Sequence, residues 1–253
     1  MKKMLCAVVA VGAIGFGMAT SASAASFADI GFVIDQSGSM GGEFSWLGNS
    51  ISTIDTAIQA GGVTATYGVA GYEDTTGSEY SANAWQDLTS NVQDVVDEVN
   101  AVSTYGGTEE GYHAAAWAAD NFSWSGGDYA KVLVLVTDED ADNASSYLYG
   151  GLNGESALAK KMADSNILLN VITSTGLYSV WNEAVYTKGT YSGLFDLNYL
   201  RNNPTDFTND FVAAKLAEIQ DVPVGAVPEP TTMLLFGTGL AGLAAVGRRK
   251  SKK

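Results

Sequence analysis

Three short segments carry oxygen-bearing side chains at spacings that suit a hard cation. FVIDQSGSM, residues 32–40, sets Asp35, Ser37 and Ser39 each one residue apart. YGGTEEG, residues 105–111, holds Thr108 behind two glycines, and KVLVLVTD, residues 131–138, ends in Asp138. Asp, Ser and Gly are also turn formers, so the first segment alone is ambiguous. A hard divalent cation takes oxygen ligands, and Mg2+ demands near-octahedral geometry. Ser and Thr hydroxyls are neutral oxygens on short, stiff side chains. They hold an ion without cancelling its charge, which leaves it free to take a carboxylate from outside.

More carboxylates lie beside these segments. TDEDAD supplies Glu139, Asp140 and Asp142, Glu109 and Glu110 follow Thr108, and GYEDTTG carries Glu73 and Asp74. They read either as solvated acidic turns or as a second site of the Ca2+ kind, formed by Glu139, Asp140, Asp142, Glu109 and Asp74; Ca2+ accepts more carboxylates in looser geometry. Other chemistry has less support. His113, the only histidine, sits among alanines and reads as a packed or solvated side chain. Ser37 has no adjacent base to activate it as a nucleophile. GGTEEG lacks the Lys and the hydroxyl residue of a phosphate-binding loop. Trp46, Trp117, Trp124 and Trp181 read as core or surface packing before a sugar-stacking face.

The elements that must position these residues alternate between strand and helix. Continuous apolar runs predict strands over Ala28–Asp35, Lys131–Thr137 and Ile167–Thr173, as expected of strands buried on both faces. β-formers predict a strand over Thr64–Tyr72, a weaker edge strand over Tyr80–Leu88 and a last one over Leu194–Leu197. Helical periodicity marks Trp46–Ile58, Val92–Val102, Glu109–Asn121, Glu155–Ser165, a short Val180–Tyr186 and a closing Phe207–Gln220 capped by Asp206 or Thr208. This alternation predicts an α/β fold: a Rossmann-like, doubly wound, mostly parallel sheet with one antiparallel edge strand and helices on both faces. Ligands of such sheets sit at the carboxyl ends of the strands, near the switch in strand order. Asp35 and Asp138 end the two most apolar strands. If those strands are neighbours, the two carboxylates meet.

Both ends of the chain read as addresses. Lys2 and Lys3, an apolar run to Met18 and Ala22-Ser23-Ala24 make residues 1–24 a signal peptide cut between Ala24 and Ala25. The single cysteine, Cys6, lies inside it, so the mature chain would have no disulfide. Residues 25–222 then form one domain. Residues 223–230 are a linker ending in Val227, Pro228, Glu229 and Pro230; residues 231–247 are a charge-free transmembrane segment; residues 248–253 are a basic tail held on the cytoplasmic side. Seven of the 13 basic residues lie in these ends, whereas all 28 acidic residues lie between Asp29 and Glu229. A nucleic-acid partner is therefore excluded, because phosphate binding needs basic residues.

The order of Val-Pro-Glu-Pro, apolar span and basic end resembles the PEP-CTERM sorting signal of Gram-negative bacteria. That resemblance implies export, a transient anchor in the inner membrane, and processing by an exosortase near Pro228–Pro230, with the product at the cell surface or in the extracellular matrix. Asp35, Ser37, Ser39, Thr108 and Asp138, in three segments in that order, resemble the metal-ion-dependent adhesion site (MIDAS) of von Willebrand factor type A domains, over roughly residues 26–221. The resemblance implies that Ser37, Ser39 and Thr108 touch the ion directly and that Asp35 and Asp138 act largely through water. The cofactor is a divalent cation, Mg2+ first, with Mn2+ or Ca2+ as alternatives. The partner is then a protein or glycan with an exposed carboxylate, bridged through the metal. One departure stands out: the family commonly places Gly after the third-segment Asp, where this chain has Glu139.

These residues imply a binding module and no enzyme. Two other readings stay open: an acidic structural component of an exopolysaccharide or biofilm matrix, and a Mg2+-assisted hydrolase that would need a general base not evident in the sequence.

Overall fold

The central strand forms because FADIGFVID can bury both faces. Even-numbered Ile30, Phe32 and Ile34 face one helical layer, and odd-numbered Val33 faces the other. This strand, β1 (Phe27–Asp35), is followed by α1 (Gly41–Ala60), β2 (Thr64–Tyr72), β3 (Ala84–Thr89), α2 (Val92–Ala101), α3 (Gly111–Asn121) and β4 (Tyr129–Val136). Then come α4 (Gly154–Ser165), β5 (Leu168–Thr173), β6 (Leu194–Asp196), α5 (Leu197–Asn202) and α6 (Pro204–Gln220). The structure is a computed structural model that describes residues 23–24, 26–72, 84–106, 109–187 and 191–224.

The six strands lie in the order β3-β2-β1-β4-β5-β6, with β3 alone antiparallel. The expected α/β sheet, with its antiparallel edge, is therefore present. β1 pairs with β2 along its whole length and with β4 from Phe27↔Tyr129 to Ile34↔Val136. The chain runs outward from β1 to β2 and then returns to β4 on its other side. The switch in strand order therefore falls between β1 and β4, where their carboxyl ends open the crevice that such sheets offer to ligands.

One layer packs α1, α2, α5 and α6 on the sheet. Trp46 anchors it, meeting Phe207 and Phe211 edge-on and donating from Nε1 to Thr208 Oγ1 at 2.9 Å. The other layer packs α3 and α4, whose alanines approach the sheet closely. There Phe122 lies over Gly31 and Gly68, where a methyl group would sit 2.8 and 2.6 Å from its ring. Trp181 is fully buried and Trp46 nearly so, while Trp117 and Trp124 pack at the edge of the second layer, so the tryptophans serve packing.

Several element boundaries differ from the sequence reading. α1 starts at Gly41, five residues before the first apolar residue that marked it, because its opening turn is glycine and a buried Glu43. The helix expected over Val180–Tyr186 is one turn, Tyr178–Trp181; Tyr186 instead bridges to Leu169 alongside β5. The last helix begins at Pro204, which supplies a ready-set φ at the first helical position, and neither Asp206 nor Thr208 caps it. Leu197 ends no strand but opens α5, which the sequence reading missed. Asp196 caps α5, accepting from Asn198 N at 2.9 Å. Residues 80–83 of the expected edge strand lie outside the described residues.

At the opposite end of the sheet, Ser23 and Ala24 pair antiparallel with Val224 and Pro223. Among the described residues, no helix is long and apolar enough to cross a membrane. Residues 1–22 of the expected 1–24 leader, the Val-Pro-Glu-Pro motif and the 231–247 segment all lie outside the described residues.

Candidate metal centre

The register of β1 and β4 makes the site. Ile34 is level with Val136, so Asp35 and Thr137 leave the sheet side by side. Thr137 Oγ1 donates to Asp35 Oδ2 at 2.9 Å, and the Ser37 backbone N donates to Asp35 Oδ1 at 2.6 Å. Asp35, fully buried, is thus fixed through both oxygens. From there a chain of hydroxyls crosses the sheet end. Ser37 Oγ and Ser39 Oγ share a hydrogen bond at 3.1 Å, and Ser39 Oγ donates to Asp138 Oδ1 at 3.0 Å. Four of the five residues expected at one ion, Asp35, Ser37, Ser39 and Asp138, are therefore brought together. The fifth, Thr108, lies outside the described residues. The segment that leads to it is tied to the first loop: Tyr105 N donates to Gln36 O at 2.7 Å, and Gln36 Nε2 donates to Ser103 O at 3.2 Å.

Electrostatics point to a cation. Burial raises the Asp35 carboxyl to about 6, against the pull of its hydrogen bonds. Glu109, 4% exposed, is pushed up to about 7, first by burial and then by the charges of Asp35, Glu139, Asp142 and Asp138. Carboxylates that resist ionisation together mark a place where positive charge is wanted. The donor set of Asp35, Ser37, Ser39 and Asp138 is all oxygen and half hydroxyl, which suits a hard divalent ion and leaves it under-neutralised.

The other acidic residues do not form a cage. Glu139 and Asp140 are exposed. Asp142 is occupied in holding the chain at Glu109: its Oδ2 accepts from Glu109 N at 3.1 Å, and its N donates to Glu109 O at 2.9 Å. Among the described residues, no three Asp, Glu, His or Cys side chains converge to hold an ion. Asp74, the remaining candidate, lies outside them. The loop that carries Glu139 in place of the usual glycine keeps its start in order, because Glu139 N donates to Thr137 Oγ1 at 3.1 Å.

Sequence reasoning missed Arg201, on α5. Its Nε donates to buried Glu43 at 2.6 Å, and its Nη2 donates to Asp138 Oδ2 at 2.9 Å and to Ser39 O at 3.3 Å. A fixed cation therefore leans on the rim of the site and ties it to the segment before α6. The available signal was weak: the one arginine of the acidic 25–222 segment, in a helix too short for periodicity to mark.

Comparison with known families identifies the fold. The profile of the von Willebrand factor type A domain matches residues 29–187, more than half the chain. This chain belongs to the von Willebrand factor type A domain family. A second profile, the PEP-CTERM protein-sorting motif, matches residues 226–250. A comparison with curated proteins finds no match. Among solved structures, the pilus adhesin SpaC from Lactobacillus rhamnosus GG aligns with a TM-score of 0.54 at 13% identity, covering 78% of this chain and 31% of that one. Proximal thread matrix protein 1 from the mussel byssus, with a zinc-occupied MIDAS motif, aligns with a TM-score of 0.54 at 16% identity, covering 77% of this chain and 47% of that one. This chain thus spans less than half of the length of these neighbours, and at such identities they share its fold.

Proposed function

We propose that this type A domain is an exported, metal-dependent adhesion module. It binds an acidic group of a protein or glycan partner through a divalent cation. The observation that carries the reading is the hydroxyl relay from Ser37 through Ser39 to Asp138, set at the switch in strand order. Ser37, Ser39 and Thr108 would hold the ion directly, and Asp35 and Asp138 would orient its water. The ion supplies Lewis acidity toward a partner's carboxylate. The adhesin and byssal matrix neighbours support such a role, as does the sorting motif, which implies processing by an exosortase. With that motif, the reading includes residues 1–24 as a leader, a transient inner-membrane anchor at 231–247, and delivery to the surface or extracellular matrix of a Gram-negative cell. Mg2+ fits the donors best. The zinc-occupied site of the byssal neighbour makes Zn2+ a necessary arm of the test, beside Mn2+ and Ca2+.

An ion that binds only the folded state raises its stability, by about 2.7 kcal/mol at a hundredfold excess over its dissociation constant. The expected result is a saturable rise in melting temperature with at least one of these ions, abolished in Asp35→Ala. A protein indifferent to every ion would leave the acidic excess as its main property, and a structural matrix role would then replace adhesion.

A further inference from the structure

Beneath the first helical layer, away from the metal centre, three polar side chains are buried together. Asn170 lies mid-strand on β5 and faces α6, whose Lys215 and Glu218 point back at it. All three are at most 2% exposed. Lys215 Nζ contacts both Asn170 Oδ1 and Glu218 Oε2, while Asn170 Nδ2 donates to the same Glu218 oxygen at 3.2 Å. The rings of Phe195 and Phe211 stand 4.9 and 5.9 Å from Nζ and wall it from water. Among the described residues, Glu218 Oε1 has no hydrogen-bond partner.

As a plain ion pair this cluster is expensive, since an apolar pair of similar volume fills such a place at least as well. Its geometry is that of a reaction. An amine held out of water gives up its proton more readily, and its neutral form is a nucleophile; burial lowers the pKa of Lys215. The atom it would attack belongs to the carboxamide it already touches. One carboxyl oxygen meets both the attacking nitrogen and the nitrogen that would leave.

We infer that Lys215 and Asn170 form an intramolecular isopeptide bond, with Glu218 as the catalytic acid–base. Lys215 Nζ adds to Asn170 Cγ. Glu218 takes the proton from Nζ and delivers it to Nδ2. The Cγ–Nδ2 bond breaks, ammonia leaves, and a secondary amide remains between α6 and β5. No oxidant, cofactor or second protein is needed. Rigid burial supplies the proximity that makes a slow aminolysis effectively unimolecular, and proton transfer by a placed carboxyl contributes the rest. The bond would fasten the last helix to the sheet, independently of any metal.

The test is a tryptic digest of the full chain, purified after folding and read by tandem mass spectrometry. Trypsin does not cut at an amidated lysine. The expected product joins the peptide starting at Met162 and ending at Lys188 to the peptide starting at Asn202 and running through Lys215. Its mass is lower than the two together by about 17 Da, one ammonia. Glu218→Gln is expected to give the two peptides separately, with cleavage after Lys215, while still melting cooperatively. Lys215→Arg, which keeps a basic side chain but has no nucleophilic amine, is expected to do the same. Cleavage after Lys215 with Asn170 intact in the folded wild type would overturn the inference. So would loss of ammonia from Asn170 without linkage. Linkage at an unchanged rate in Glu218→Gln would overturn the role given to Glu218.

Discussion

The metal-free site should be a pH-dependent weakness in the fold, and Asp35 gives its size. Its carboxyl titrates at 3.8 when free and at about 6 in the folded chain, mainly because burial penalises its charge. The folded state therefore holds a proton that the unfolded state has released, and stability falls as pH rises through that interval. The full effect is about 3 kcal/mol at 1.36 kcal/mol per unit. For a domain of this size that is a fall of roughly 6–12 °C in melting temperature between about pH 3 and pH 7. Other carboxylates titrate in the same range, so Asp35→Asn is the control. An Asn side chain can still accept from Ser37 N through Oδ1 and donate to Thr137 Oγ1 through Nδ2, keeping the loop while removing the charge. With chelator present, the variant should lose most of this pH dependence and be more stable than wild type at pH 7. A saturating divalent ion should stabilise wild type at pH 7 and leave the variant unmoved. Chelated wild type and Asp35→Asn with equal melting temperatures at pH 7, and equal slopes below it, would refute the reasoning. Burial would then not be what raises this carboxyl.

Three further outcomes follow from the same geometry. Arg201→Met removes the fixed cation from Asp138 and leaves Glu43 buried without its partner; divalent affinity by calorimetry should rise about tenfold, close to 1.4 kcal/mol, while stability falls by about 2 kcal/mol. Ser39→Ala interrupts the relay between Ser37 and Asp138, so the metal-dependent rise in melting temperature should vanish while chelated stability changes by less than about 1 kcal/mol. Gly71→Ala puts a methyl group 2.5 Å from Gln36 Oε1; displacing that side chain should cost about 1–3 kcal/mol and weaken ion binding, because Gln36 ties the first loop to the segment before Thr108.

The sheet and most of the site were legible because both follow from local patterns. FVID and VLVLVT are too apolar for anything but central strands, and their ends carry Asp35 and, one residue beyond Thr137, Asp138. That those strands are neighbours is not in the pattern, which makes the meeting of the two carboxylates conditional; the register of Ile34 with Val136 meets the condition. What the sequence did not disclose depends on tertiary placement. Arg201 reaches Asp138 from 63 residues away, through α5, which is too short to show a period. Thr137 read as the end of a strand, and only the register shows that its hydroxyl is spent on Asp35. Lys215 and Glu218 left a trace, since they share a helix face with Phe211 and Ile219, yet a charged pair on an apolar face usually reads as a solvated edge. Only the fold shows that Asn170 waits opposite.

The place where the chain leaves the domain has a mechanical meaning. Gln220, the last residue of α6, donates from Nε2 to Gly61 O at 3.0 Å, and Thr64 N nearby donates to Ser26 O at 2.9 Å. Entry and exit of the domain therefore lie at the amino ends of the strands, while Asp35 and Asp138 sit at the carboxyl ends, about 30 Å away along the nine residues of β1. Whatever restrains the chain beyond Val224 restrains it from the pole opposite the metal. A load applied at the ion would then run along β1 and pull its ladders with β2 and β4 in shear. Their backbone hydrogen bonds would share the force and break together, not one after another as in peeling. Under tension the lifetime of the fold is set by its unfolding rate, and a central strand loaded in shear between two full-length neighbours is a slow one to extract.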